Sequence, residues 1–96
     1  MLISKGIAAG EVVTIKTTTG EEIVAKLVED GPHGLVLSKP LVLTMSQKGP
    51  ALMPYLFTVD PSTDITLHRG VVAVLAPTTK DIVDSYIQQT TGIKLV

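Results

Sequence analysis

Residues 65–75 read ITLHRGVVAVL and contain Arg69, the only arginine of the chain. The β-branched and aliphatic residues on both sides of His68-Arg69-Gly70 favour two β-strands joined by a very short connection. Gly70 permits a sharp or positive-φ turn at that point. The stretch therefore predicts a single guanidinium held on a rigid turn, which is the geometry that a phosphate or base contact needs.

Upstream of this stretch, apolar or β-branched runs alternate with short turns. Four segments rich in Gly, Pro, Asp, Ser or Thr separate the runs: residues 19–20, 30–34, 47–50 and 60–63. Because no segment has the length and period of a crossover helix, we expect about five to six antiparallel strands, closed or half-closed into a small barrel. Pro40 interrupts the third run, and one long strand bent by a β-bulge accommodates it.

The hydrophobic period changes after the last strand. Four apolar side chains then fall on one face of a helix: Ile82, Val83, Tyr86 and Ile87. Thr78, followed three residues later by Asp81, has the spacing of a capping box. The pattern predicts a C-terminal helix over residues 79–90, ended by Gly92 and followed by a strand-like apolar tail at residues 93–96.

The composition indicates one domain, residues 1–96, with apolar residues to spare. Apolar residues make up 45% of the chain, and its mean hydropathy is +0.41. A domain of this size buries about two-thirds of its unfolded surface, so we expect part of the apolar surplus to face a partner, most simply a second copy. Tyr55, Phe57 and Tyr86 are the only aromatic residues, which excludes a stacking platform of several aromatics.

Charge and residue usage exclude several classes of site. The net charge of −1 argues against non-specific binding to duplex nucleic acid, and the lack of cysteine excludes disulfides and thiolate metal sites. His33 and His68 are far apart, with no acid at metal-ligand spacing, so we expect no metal and no cofactor. No apolar run is long enough to span a bilayer and residues 1–10 do not resemble a secretory signal, so we expect a cytoplasmic protein.

The sequence contains no motif typical of an enzyme. Glu21-Glu22 and Glu29-Asp30 are adjacent acids, but neighbouring residues of a strand point to opposite faces, so neither pair forms a general acid/base dyad. The chain also lacks a nucleophile elbow, a phosphate-binding glycine loop with lysine and an HExxH helix. We therefore expect a binding or assembly protein rather than an enzyme.

Two segments at their present spacing resemble the paired motifs of the Sm fold, which belongs to the RNA-binding ring proteins Sm, Sm-like and bacterial Hfq. Residues 12–37 resemble the first motif: a strand, a glycine turn at Gly20, a second strand, and Asp30 leading into a third strand. Residues 65–75 resemble the second motif, where Arg-Gly lies between the last two strands. The resemblance implies an all-β fold, a small, strongly bent antiparallel five-stranded Sm-like (SH3-like) barrel, here with a C-terminal helix.

The same resemblance implies a site where the two loops meet. The family's aspartate, arginine and glycine match Asp30, Arg69 and Gly70. With their neighbours, the candidate nucleic-acid-binding residues are Asp30, Pro32, His33, Gly34, His68, Arg69 and Gly70. Gly34 stands where the family has a base-reading asparagine and Pro32 where it has a stacking residue, so we expect little base discrimination, with His33 as a substitute stacking group.

Assembly would multiply the single arginine. A homo-oligomeric ring of about five to seven copies, paired edge to edge, brings one Arg69 per subunit to a common pore. We expect such a ring to bind single-stranded RNA, or DNA, although each subunit has a net charge of −1. The alternative is a structural or adaptor module that uses the same fold only to assemble, and a salt-sensitive affinity for oligonucleotides separates the two.

Overall fold

The structure, a computed structural model, describes residues 7–91 and contains six β-strands, one short 3-10 helix and one α-helix. The strands are β1 (Val12–Thr17), β2 (Glu22–Gly31), β3 (Gly34–Ser46), β4 (Gly49–Pro54), β5 (Ile65–His68) and β6 (Val72–Pro77). The 3-10 turn Arg69–Val71 joins β5 to β6, and helix α1 (Lys80–Thr90) follows β6. Gly92 and the predicted tail at residues 93–96 lie outside the described residues.

All strand pairs are antiparallel, and the strands form one sheet in the order β4-β3-β2-β1-β6, with β5 paired to the first part of β3. The predicted antiparallel β-rich fold with a C-terminal helix is confirmed. The six strands agree with the five to six expected from the strand pattern and exceed by one the five-stranded barrel that the resemblance implies. The barrel is not confirmed, because the sheet formed by the described strands is not closed.

Strand β3 is one long strand with a bulge at the predicted place. Val24 pairs with Leu41 and Lys26 with Ser38, so Lys39 and Pro40 together stand opposite a single residue of β2. Lys39 adopts a positive φ of 50°, and Pro40 has no N–H to donate to a ladder. The extra residue reverses the side-chain alternation, so the strand can bury one end on the inner face of the sheet and the other end on the outer face.

The two faces of the sheet hold separate apolar clusters. The inner cluster contains the fully buried residues Val13, Ile15, Ile23, Ala25, Leu35 and Leu37, with Leu27, Leu67, Val72 and Leu75 around them. The outer cluster is smaller: Val24, Leu41 and Tyr86 are buried, and Val12, Leu52 and Ile82 pack against them. Helix α1 supplies Tyr86 and Ile82, so α1 covers the outer face of the sheet.

Tyr86 anchors α1 at the β3 bulge. Its side chain is 2% exposed, and its hydroxyl accepts a hydrogen bond from the backbone N–H of Lys26 at 3.1 Å. The same hydroxyl shares its one hydrogen between two carbonyl oxygens, that of Ser38 at 2.7 Å and that of Lys39 at 3.0 Å. Burial raises the pKa of Tyr86. One hydroxyl thus partners backbone groups at the position where the bulge interrupts the β2–β3 ladder.

Two local predictions are wrong. The N-cap residue of α1 is Thr79, and the hydroxyl of Thr78 instead forms a hydrogen bond with that of Thr14 at 2.7 Å, so tertiary packing removes Thr78 from the predicted capping box. The run between the turns at residues 47–50 and 60–63 predicts a strand over residues 51–59, but β4 ends at Pro54. After it, Tyr55 packs against the inner cluster, whereas Phe57 is 77% exposed.

Within residues 7–91, no helix has both the length and the apolar character needed to cross a membrane. The single α-helix has 11 residues, whereas a transmembrane helix needs about 20 predominantly apolar ones.

Candidate functional site

The first residue of β3 brings the two predicted loops together. Gly34 pairs with Gly31 of β2 on one side and with His68 of β5 on the other. The turn at residues 30–34 therefore lies next to the turn at residues 68–70 within one chain. The two groups of candidate residues, separated in sequence, share one end of the sheet.

Close backbone contact explains the glycine at position 34. A Cβ atom added to Gly34 would overlap the carbonyl group of Leu67 and lie 3.0 Å from the Cα atom of His68. The φ of Gly34 is also positive, at 153°. A larger residue, such as the asparagine found at the matching position of the Sm family, would have to push β5 away from β3.

Arg69 ties the two turns to each other. Its Nη2 atom forms an ion pair with Oδ1 of Asp30 and donates a second hydrogen bond to the carbonyl oxygen of Gly31 at 2.5 Å. The side chains of Arg69 and Asp30 remain 34% and 28% exposed. Arg69 therefore has a structural role in joining the loops, and its charge is partly balanced by an acid.

The guanidinium nevertheless keeps free donors. A guanidinium carries five N–H groups, of which Nη2 provides two. Among the described residues, the hydrogen bonds of Arg69 all use Nη2, so Nε and Nη1 retain three N–H groups. Because Asp30 and Gly31 hold the plane of the guanidinium, these donors can meet a phosphate or a base acceptor without first being ordered.

The remaining candidate residues lie around this pair and are accessible to solvent. Pro32 and His33 are exposed at the tip of the first turn, and His68 and Gly70 are exposed on the second. His68 is the cross-strand neighbour of Gly34, so His33 and His68 lie at the same end of the sheet. The arrangement places both histidines and the remaining Arg69 donors at one end of the sheet.

Sequence reasoning missed the backbone acceptor of this site. The carbonyl oxygen of Gly31 binds Arg69 across 38 residues of chain. The Gly-Pro pair after Asp30 marked a turn, but a turn signal does not show which carbonyl faces a distant arginine. Among residues 7–91, no group of three or more His, Asp or Glu side chains is arranged to hold a metal ion.

The resemblance to the Sm family stays a prediction from the two sequence motifs. No protein-family model matches the chain, and no curated protein is significantly similar to it in sequence.

Proposed function

We propose that this protein is an Sm-like module that forms a homo-oligomeric ring and binds single-stranded RNA, or single-stranded DNA, in the cytoplasm. The site comprises the two joined turns, residues 30–34 and 68–70, and its function is binding rather than catalysis. The observation that supports the proposal is the pairing of Gly34 with both Gly31 and His68. That pairing places the only arginine of the chain beside the loop that the resemblance assigns to base contact.

The ring depends on the edges of the sheet. Among the strands of residues 7–91, β4 and β6 end the strand order, so each has one described neighbour in the sheet. An unpaired strand edge is a template for another strand, and joining unlike edges of successive copies closes a ring when the rotation fits. We propose that the bend of β3 and the tight β5–β6 connection curve the sheet into a half-closed Sm-like barrel that presents these edges.

Arg69 would act through oriented donors more than through net charge. Its partner Asp30 balances part of its charge, and the whole chain carries −1. In a ring, the three remaining N–H groups of each Arg69 recur once per subunit around the pore. We therefore expect a moderate affinity that falls as salt rises, but less steeply than for a strongly basic protein, because each subunit contributes one partly balanced charge.

The decisive experiment combines the mass of the assembly with oligonucleotide titrations. Light scattering on a sizing column gives the number of 10.1 kDa copies, and fluorescence anisotropy gives the affinity for a labelled single-stranded RNA. We expect one closed oligomer, with binding weakened about tenfold by Arg69→Gln and weakened also by His33→Ala. Lys80→Gln, at an exposed lysine on α1, is the control and should bind as the parent does.

His33→Ala protects this test from a folding artefact. The exposed His33 side chain makes no hydrogen bond to the described residues, so its removal should leave the fold intact. A monomeric parent, or an oligomer with no RNA or DNA binding at low salt, would overturn the proposal.

A structural or adaptor function is the second candidate. The ion pair of Arg69 with Asp30 favours it, because a guanidinium used to join two turns needs no nucleic acid to explain its place. A stable oligomer that binds neither RNA nor DNA is the result that this candidate predicts.

A further inference from the structure

A second candidate site lies on the outer face of the sheet, away from the joined turns. A cavity of about 330 Å³ opens between α1 and strands β1 to β3. Lys26 and Lys39 contribute to its lining, with Val12, Ile87, Tyr86 and Thr90. A volume of this size is at the lower end of the range of small-molecule sites, about 300–1,000 Å³.

The Tyr86 hydroxyl binds the backbone of both lysine residues. The hydroxyl oxygen is 3.1 Å from the backbone nitrogen of Lys26 and 3.0 Å from the carbonyl oxygen of Lys39. Lys39 is also fixed in a positive-φ conformation by the bulge. Both side chains therefore leave the backbone from neighbouring, ordered positions, even though they are on different strands.

The positive charge of this pair is not balanced within the described chain. The ion pairs among residues 7–91 are Arg69 with Asp30 and Lys80 with Asp84. No described acid lines the cavity. Two lysines that line one cavity, together with apolar walls from Val12 and Ile87, favour a ligand that has two negative charges and an organic part.

We propose that this cavity binds the phosphate monoester of a small organic molecule. A phosphate monoester carries about −1.5 to −2 charges at neutral pH, which matches two lysines. Lysine binds phosphate as a point charge and needs no planar partner. Thr90 also lines the cavity, with its hydroxyl donating to the carbonyl oxygen of Tyr86 at 2.7 Å, and the apolar walls accommodate the organic group. This inference is independent of the proposed RNA-binding function, because it uses a different face of the sheet.

Phenyl phosphate is the probe for this site, with phenol as the control that lacks the charge. Amide chemical shifts of the intact protein are followed by NMR during titration. We expect saturable shifts at Lys26, Lys39 and Tyr86 with phenyl phosphate and none with phenol. Absence of saturation, or equal shifts with phenol, overturns the proposal.

Substitutions then test the two lysines. Lys26→Gln and Lys39→Asn should each weaken binding about tenfold, through the loss of one charge-assisted contact. Asparagine is chosen for position 39 because it tolerates a positive φ. The control is Lys16→Gln, at an exposed lysine of β1 outside the cavity lining. Unchanged affinity in both cavity variants, with the fold verified by circular dichroism, overturns the proposal.

A terminal phosphate of a nucleic acid shares this chemistry, and a further titration distinguishes the source. Oligonucleotides with a 5′-phosphate and with a 5′-hydroxyl are compared in the parent and in the Lys26→Gln variant. Equal binding of both oligonucleotides, with phenyl phosphate still bound, supports a free small phosphate. A preference for the 5′-phosphate that Lys26→Gln removes contradicts the small-molecule source and assigns the cavity to nucleic-acid ends.

Discussion

Arg69 and Tyr86 perform similar tasks in two different settings. Each side chain joins segments that are distant in sequence by binding backbone carbonyl groups, Arg69 at the joined turns and Tyr86 at the β3 bulge. Arg69 is charged, a third exposed and paired with Asp30, whereas Tyr86 is neutral and 2% exposed. We therefore expect the buried, neutral Tyr86 to contribute mainly to the stability of the fold. The partly exposed, charged Arg69 should contribute less to stability and remain accessible to a ligand.

The largest effect on stability is expected at Gly34, where the backbone of β3 lies close to the carbonyl group of Leu67. Gly34→Ala places a methyl group against the carbonyl of Leu67 and should cost about 3 kcal/mol of unfolding free energy. Chemical denaturation measures the change. Gly49→Ala is the matched control, because Gly49 also has a positive φ but open space around it. An equal cost at both positions would show that backbone strain acts alone.

Removal of the Tyr86 hydroxyl should have the next largest effect. Tyr86→Phe keeps the ring in the outer cluster but leaves the N–H of Lys26 without its partner, which should cost about 1–3 kcal/mol. Urea unfolding tests this value. Tyr55→Phe is the control, since the Tyr55 hydroxyl has no hydrogen bond to the described residues, and its change should stay near zero. Equal stabilities for the two variants would contradict the anchoring role of Tyr86.

Alkaline pH should reduce the stabilising contribution of Tyr86, by less than the Tyr86→Phe substitution does. Burial raises the pKa of Tyr86 above its ordinary value of 10.0. Because the folded state favours the neutral phenol, this contribution is complete below the unfolded pKa and is lost as pH rises through the folded pKa. The free energy of unfolding should therefore decline between pH 8 and pH 11. Tyr86→Phe should reduce this decline, whereas Tyr55→Phe should not. A decline of the same size in the parent and in both variants would contradict the assignment of this pH dependence to Tyr86.

Substitution of Arg69 should have the smallest effect on stability but a clear effect on RNA affinity. Arg69→Gln removes an exposed ion pair, which should cost about 1 kcal/mol or less. RNA affinity should fall about tenfold in the same variant, because the oriented guanidinium donors are lost. Denaturation and anisotropy on one preparation measure both quantities. A loss of several kcal/mol in stability with unchanged affinity would make Arg69 a structural residue only.

Local sequence signals predicted much of the fold because they act over short distances. The Thr19-Gly20 turn joins β1 and β2 as expected, and Gly20 has a positive φ of 104°. The Ser38-Lys39-Pro40 interruption becomes a bulge because proline cannot donate to the ladder there. The C-terminal helix begins at Lys80, one residue later than predicted, because Thr79 is its N-cap and has extended backbone angles.

The strand pattern, the bend of β3, the amphipathic helix and the turn that carries Arg69 are all predictable from sequence patterns. Which distant groups meet depends on the folded arrangement: Arg69 reaches Gly31 across 38 residues, and Tyr86 reaches Lys26 across 60. The pairing of Lys26 with Lys39 at one cavity also depends on that fold. The physical reason is that turn and period signals depend on neighbouring residues, whereas these contacts depend on strand register and on the packing of α1 across the sheet.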